Sequence, residues 1–438
     1  MSGNNTLSAL TDGQRLAKTL QQRERVVLQR SARAQIEQPA LARGHAARAG
    51  GEPHGPAEFR FVRVHAIHRA TLAGGAPHHV EGAVPQLCIG LRATPVPAWL
   101  EGAPRLAHPG GMSTPALELI GLRTEFRIDG RWHPAVRDLS LRLMPDETLA
   151  LVGESGCGKS VTALSVMGLV QPPFGRVAAG QIRLAGRDLA GLSEGELEKI
   201  RGDRMAMIFQ EPMTSLNPVM TVGDQVAEAL RIHRGLDRRA ALERARLLFE
   251  EVKIPSAASR LGEYPHQFSG GMRQRVMIAI ALACEPAVLL ADEPTTALDV
   301  TIQAQVLGLL ADLRAKHGMA VLFITHNLGV VAQIADRVAV MYAGEIVEQG
   351  PVGAIFDRPH HPYTRALFSA IPRLDQPGQA LSAIGGRVPP LDAMPPGCRF
   401  AARCQMRRAG CEQEQVLAEV APAHAARCHV ATGAMIAC

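Results

Sequence analysis

Residues 149–161 read LALVGESGCGKSV, an apolar run followed by a glycine loop and a helix start. Gly153, Gly156, Gly158, Lys159 and Ser160 fit G-x-x-x-x-G-K-[ST], the phosphate-binding loop. Glycines let successive backbone N–H groups turn inward around phosphate oxygens. A helix opening at Gly158 aims the positive end of its dipole at the same charge. Lys159 is placed to reach the β- and γ-phosphates, and the Ser160 hydroxyl to ligate Mg²⁺. The backbone of Gly153, Glu154, Ser155, Gly156, Cys157, Gly158 and Val161 completes the cradle. The apolar strand before the loop and ALSVMGLV (163–170) after it argue against a chance glycine-rich turn.

Around this loop the chain alternates strands and helices. LELIGLRTEFRI and DLSLRL alternate as strands about a turn-like DGRWHP, and GQIRLAGRDL is a further strand pair. Asp224–Lys253 predicts two helices broken at Gly235, Ser269–Cys284 predicts another, and so does Thr301–His317. MAMIFQE (205–211), AVLLADE (287–293) and MAVLFITH (319–326) are continuous apolar runs, as in parallel strands covered on both faces. The expectation is a parallel α/β sheet.

Each of those runs ends in a polar group. Asp292 is placed to hold Mg²⁺ directly or through water. Glu293 follows and is placed to orient and deprotonate an attacking water. Gln210 could contact Mg²⁺ or that water, and His326 the γ-phosphate. A lone Gln or His is more often structural, so their case rests on following strands of the same sheet. FSGGMRQR (268–275) opens a helix with Ser269, Gly270 and Gly271, a second anion site. One ATP does not readily need two helix N-termini from one chain, so this one is expected to face the phosphate of a partner's ATP.

Taken in order, these stretches resemble the ATP-binding subunit of an ABC transporter from about Leu117 to Gly350: Walker A GESGCGKS, Q-loop Gln210, signature FSGGMRQR, Walker B AVLLADE, D-loop Ala297–Asp299 and switch His326. The resemblance implies a P-loop NTPase cassette, α/β, with a mixed-sheet RecA-like core, an antiparallel β subdomain and a helical subdomain at about 211–268. The cassette would span 112–355 and a small C-terminal extension 356–438. It implies that Phe126 stacks on adenine, although a strand-core phenylalanine reads the same way, and it places Asp299 at the shared nucleotide site. Asp146-Glu147 stands where the family usually has Gly-Glu; Asp tolerates the left-handed conformation a glycine would take there.

QEPMTSLNP (210–218), HHPYTRAL (360–367) and IGGRVPPLDAMPPGCRFAARC (384–404) are similar to oligopeptide and dipeptide (and nickel) import ATPases. That similarity implies ATP and Mg²⁺ as ligands and a second, non-identical ATPase subunit. It also implies two integral-membrane permeases, an indirect extracytoplasmic solute-binding protein and a peripheral place on the cytoplasmic face of the membrane, with no nucleic-acid partner. Nickel or another small solute stays open as cargo. A soluble ABC protein of translation or DNA maintenance fits less well, since those resemble tandem cassettes or carry long coiled coils, and only one Walker A is present.

Cys398, Cys404, Cys411 and Cys428 have the spacing C-x5-C-x6-C-x16-C, unlike the C-x2-C common at zinc ribbons. Four thiolates in a Gly/Pro loop could hold a [4Fe–4S] cluster, with zinc, or no metal, as the alternatives. Arg399, Arg403, Arg407, Arg408 and Arg427 are expected to offset the cluster's negative charge. Cys157, beside Lys159 at a helix N-terminus, is expected to have a lowered pKa and to be alkylated in competition with ATP. Cys438 is expected to be free.

The chain of 438 residues is 47% apolar and 20% charged, enough for a folded core. Its longest apolar run, Val276–Ala291, is broken by Glu285 and Pro286, so no transmembrane helix is expected. Met1–Leu20 lacks the apolar stretch of a secretory signal. The formal charge of +6 arises in residues 1–111, which hold 13 Lys/Arg against 7 Asp/Glu and leave 34 of each sign elsewhere. It is therefore poor evidence for nucleic-acid binding by the cassette. Gln14–Gln38 could form one polar helix; Pro39–Gly111 is rich in Ala, Arg, Gly, Pro and His. A disordered basic tail, a targeting extension, and upstream sequence before a natural start at Met112 are the three readings. The last fits best, because organised patterning begins after Met112.

Overall fold

A computed structural model describes residues 114–296, 298–370 and 384–432. The readings of residues 1–111, of the start at Met112, of Ala297 and of Cys438 lie outside the described residues.

Two sheets organise the chain. The smaller is antiparallel, in the order β2-β1-β4-β5, from β1 (Leu117–Ile128), β2 (Arg131–Leu143), β4 (Gly175–Leu184) and β5 (Arg187–Asp188). The larger has eight strands in the order β11-β12-β10-β9-β3-β8-β7-β6. Its strands are β3 (Thr148–Val152), β6 (Met205–Ile208), β7 (Val288–Asp292), β8 (Ala320–Thr325), β9 (Arg337–Tyr342), β10 (Glu345–Pro351), β11 (Ala418–Ala421) and β12 (His424–Ala426). β6, β7, β8, β3 and β9 run parallel, whereas β10 and β12 pair antiparallel. Thr148–Val152, Val288–Asp292 and Ala320–Thr325 are buried at every position, which explains their unbroken apolar character.

The first hairpin turns on Asp129 and Gly130, with φ of 49° and 80°, the pair of positive values a two-residue turn requires. The expected turn DGRWHP is shorter than its composition suggested, since Arg131 already pairs with Ile128. Pro134 sits within β2, the edge strand, opposite Glu125 and beside a register shift, the kind of position where sheets tolerate proline. Asp146 takes φ 56°, the left-handed turn in which the resemblance led us to expect glycine.

The longer helices among the described residues are α1 (Lys159–Val166), α2 (Glu194–Ile200), α3 (Val222–Arg234), α4 (Arg238–Glu251), α5 (Gly270–Leu282), α6 (Val300–His317), α7 (Leu328–Ile334), α8 (Val352–Asp357) and α9 (Pro362–Ser369). Four of them start at side chains that accept backbone N–H bonds: Thr221 from Asp224, Asp237 from Ala240, Ser269 from Met272 and Asp299 from Ile302. Gly235 and Gly318, at φ 66° and 62°, end α3 and α6. Val226, Leu230, Ala245, Leu248 and Phe249 of α3 and α4 join Phe268, Val276 and Leu289 in one core, so the helical region packs onto the sheet through α5.

Described residues after Pro351 pack onto the cassette. β11 and β12 extend the large sheet, with Glu348 opposite Ala426 and Gln349 opposite Ala425. Tyr363 and Phe400 share a core with Val338, Val340 and Tyr342. Among the described residues, no helix is long and apolar enough to cross a membrane.

Candidate active site

Parallel pairing brings the predicted polar groups to one sheet edge. Val152 lies opposite Thr325, Asp292 opposite Ile324 and Ile208 opposite Ala291. The residues that follow β3, β6, β7 and β8 therefore emerge together at the carboxyl ends of adjacent strands, where open α/β sheets bind ligands.

The loop after β3 closes tightly. Gly156 and Gly158 have φ of 80° and 108°, a region that disfavours a side chain. A Cβ on Gly153 would lie 2.2 Å from the Met341 carbonyl oxygen of β9, so that strand's close approach requires glycine. Ser155 and Gly156 are exposed, and Lys159 is buried. The Lys159 ammonium folds back onto the loop, donating to the carbonyls of Gly153 (2.9 Å) and Glu154 (3.1 Å). It is thus placed to exchange those carbonyls for phosphate oxygens.

Asp292 is 3% exposed, and its Oδ1 has no hydrogen-bond partner. Burial, with nearby Glu293 adding, pushes its carboxyl up to about 6, against the pull of a hydrogen bond from Ser160 and the charge of Lys159. A buried carboxylate oxygen without a protein partner, beside a hydroxyl, is a donor set suited to a hard divalent cation such as Mg²⁺.

Glu293 gathers the other groups. Its carboxylate accepts from Gln210 Nε2 (3.1 Å) and Thr296 Oγ1 (2.9 Å), and pairs with His326 Nδ1 at 3.0 Å. Burial opposes ionisation, but His326 and Thr296, with Lys159 nearby, hold the carboxyl below its ordinary range. Glu293 has φ 47°, left-handed backbone of the kind that costs energy and concentrates at functional sites. A partly buried, ionised carboxylate held by three side chains beside the phosphate loop can accept a proton from water. Thr296 was not anticipated; its place three residues after Glu293, in the turn after β7, was the available signal.

Phe126 is buried, as the strand-core alternative has it, and a Cβ on Gly175 would stand 3.0 Å from its ring. Ser269 and Gly270 are exposed. Gly271 packs on α6, where a Cβ would meet Ile302 at 2.6 Å, and Asp299 caps that same helix. The helix start Ser269–Gly271 is thus set against the segment carrying Leu298, Asp299 and Ile302.

Cys157 corrects an expectation. It is 1% exposed, and burial raises its thiol pKa above the ordinary value, outweighing Lys159. Its Sγ lies 2.8 Å from where a Gly153 Cβ would stand, so it fills the underside of the loop. A neutral, enclosed thiol is not the reactive group expected from its neighbours in sequence.

Cys398, Cys404, Cys411 and Cys428 are free and line one pocket, with His361, Phe400, Met406, Gln415 and His429. Burial pushes the Cys398 thiol up to about 11, and the other three thiols add to the rise. Among the described residues, no three His, Cys, Asp or Glu side chains are grouped to hold one metal ion. Three of the arginines expected to offset charge here are engaged by the cassette instead. Arg399 pairs with Glu345 (3.5 Å) and donates to the Ala343 carbonyl. Arg403 pairs with Glu154 (2.7 Å), and Arg427 donates to the Ile346 carbonyl (3.0 Å) and pairs with Asp138 (3.1 Å).

Residues 136–296 match the family model described as "ABC transporter", and residues 347–411 match "Oligopeptide/dipeptide transporter, C-terminal region". A "Putative peptide import ATP-binding protein" of Brucella melitensis biotype 1 is 53% identical over 326 residues, covering 72% of this chain and 96% of its own. Another of that description, from Brucella abortus (strain 2308), is 51% identical over 316 residues, covering 72% and 95%. Among solved structures, the dimeric post-hydrolysis state of an ATP-binding cassette bound to ADP and Pi is 27% identical, with a TM-score of 0.49 over 54% of this chain and 98% of that one.

Proposed function

The chain belongs to the ATP-binding subunits of ABC transporters, in the peptide-import branch, and from that membership we propose how its residues couple ATP hydrolysis to uptake of dipeptides or oligopeptides. It is an ATPase. The observation that carries the mechanism is the convergence of Gln210, Thr296 and His326 on Glu293, beside the unpartnered Asp292 oxygen.

The backbone of residues 153–161 cradles the phosphates, and Lys159 moves from the loop carbonyls to the β- and γ-phosphates. Phe126 supports the adenine. Ser160 and Asp292, with Gln210 at their margin, would hold Mg²⁺, which when bound neutralises charge on the phosphate oxygens. Glu293 removes a proton from the attacking water, while Gln210 and His326 orient the water and the γ-phosphate. Ser269, Gly270, Gly271 and Asp299 complete the site on a partner ATPase subunit, non-identical in our reading, so that ATP closes a dimer. Two permeases span the membrane above this pair, the chain sits peripherally on the cytoplasmic face, and an external binding protein delivers the cargo.

Reconstitution in vesicles with the permeases and partner subunit tests this. Peptide-loaded binding protein is expected to raise ATP turnover and drive peptide uptake. Turnover that ignores peptides but responds to nickel would overturn the cargo; turnover without any permease dependence would overturn the transport role.

The four C-terminal cysteines are part of the proposal. All four line one pocket, and their C-x5-C-x6-C-x16-C spacing is unlike that of zinc ribbons, which is what favours a [4Fe–4S] cluster over zinc in this reading. Cys398, Cys404, Cys411 and Cys428 would hold it, and it would cross-link the loops that carry them. Protein purified anaerobically is expected to be brown, with iron and labile sulfide that Cys411→Ser diminishes. A colourless, metal-free protein with ordinary ATPase activity would exclude the cluster, and one zinc per chain would replace it.

A further inference from the structure

Glu154, the second residue of the phosphate loop, is held from three directions. Its backbone N–H donates to the Tyr363 hydroxyl (2.9 Å), and its carbonyl accepts from Lys159 (3.1 Å). Its carboxylate is gripped by the fork of Arg403, with Nη1 at 2.7 Å from Oε2 and Nη2 at 3.0 Å from Oε1. The Arg403 side chain is 6% exposed. It is itself fixed by the carbonyls of Gly385 (2.8 Å) and Ile384 (3.3 Å), and its guanidinium lies over Tyr342. Tyr363 is fully buried between Tyr342 and Phe400, with ring centroids 4.7 and 5.3 Å away.

Glu154 places a carboxylate in a loop that must receive a triphosphate. Like charges at that range repel, and less water is present to screen them than at an open surface. A bidentate guanidinium removes the net charge and fixes the carboxylate's direction. We propose that Arg403 is a positioning residue of the ATP site: by neutralising and pinning Glu154, the C-terminal extension sets the affinity of the phosphate loop for MgATP. The inference rests on the ATPase reading above. Tyr363 adds to it by occupying the Glu154 N–H, so the loop's entry is aimed by two groups from the extension.

The test uses the full chain, with MgATP binding followed by displacement of a fluorescent ATP analogue and with kcat and KM measured separately. Arg403→Ala is expected to raise Kd and KM for MgATP about tenfold, the size of one charged hydrogen-bond pair. Its kcat should change by less than about threefold. The decisive variant is the double substitution. With Glu154→Gln added, the unpaired charge is gone, and affinity is expected to return to within about twofold of Glu154→Gln alone. Arg403→Lys, which keeps the charge but loses the fork, is expected to lie between; it gives the same comparison if Arg403→Ala does not fold. An unchanged KM in Arg403→Ala, or a double variant as weak as Arg403→Ala, overturns the proposal, because loss of the extension's fold is not repaired by removing a charge from the loop. Lys159→Ala is the separate control. If it binds MgATP normally, the ATP-site reading itself fails, whatever Arg403 does.

Discussion

Glu293→Gln is expected to bind MgATP as the unsubstituted chain does, while turnover falls about 10²–10⁴-fold, the range attributed to a positioned general base. The substitution is chosen for what it preserves. An amide of the same size keeps the left-handed backbone at φ 47° and can still meet Gln210, Thr296 and His326, so geometry changes little while the proton acceptor is lost. Glu293→Ala would also leave those three side chains unpaired, mixing two effects. Because closure of the paired site precedes hydrolysis in the proposed cycle, the Gln variant is also expected to accumulate as an ATP-bound dimer. Phosphate release under saturating MgATP measures the first effect, and gel filtration with and without ATP the second. Turnover within about threefold of the unsubstituted chain would remove Glu293 as the base.

Much of this site could be read in the sequence because its parts follow continuous apolar strands. A five-residue run such as Val288–Asp292, buried at every position, announces both the strand and its polar end. Parallel pairing then converts order along the chain into one edge in space. What escaped detection was set by contacts remote in sequence. Arg403 meets Glu154 across 249 positions and Tyr363 meets it across 209, with no local period to mark either. The Cys157 error has the same origin: neighbours in sequence supply Lys159 and a helix end, but burial, which outweighs them, comes from the packed loop. The strands of the extension had no sequence signal, because at three and four residues they are too short to show alternation. The pairing of β12 with β10, and of β11 with β12, was visible only in the folded sheet.

The anchor of that pairing is Glu348, and Glu348→Ala is expected to destabilise the chain by about 3–5 kcal/mol, the cost of breaking a buried charged network from one side. Glu348 is fully buried in β10. It accepts from the backbone N–H groups of His360 (2.7 Å) and His361 (2.9 Å) and pairs with His424 Nε2 (2.7 Å) of β12. One carboxylate therefore joins the sheet, the segment entering α9 and the last strand pair. Burial, with the Arg427 charge adding, pushes the His361 pKa down to about 3, so its ring stays neutral and Nδ1 accepts from Tyr363 N–H (3.1 Å) as the helix cap. Alanine in place of Glu348 would strand two N–H groups and the His424 ring without partners in a dry interior, and each such group costs more than its hydrogen bond contributed. Glu348→Gln keeps one acceptor oxygen and is expected to lose less than Glu348→Ala. Urea unfolding of the full chain, followed by far-UV circular dichroism, reads the difference. A loss below about 1 kcal/mol for Glu348→Ala, with an unchanged urea slope, would show that the extension is held by its apolar contacts with Tyr342, Tyr363 and Phe400 rather than by this carboxylate.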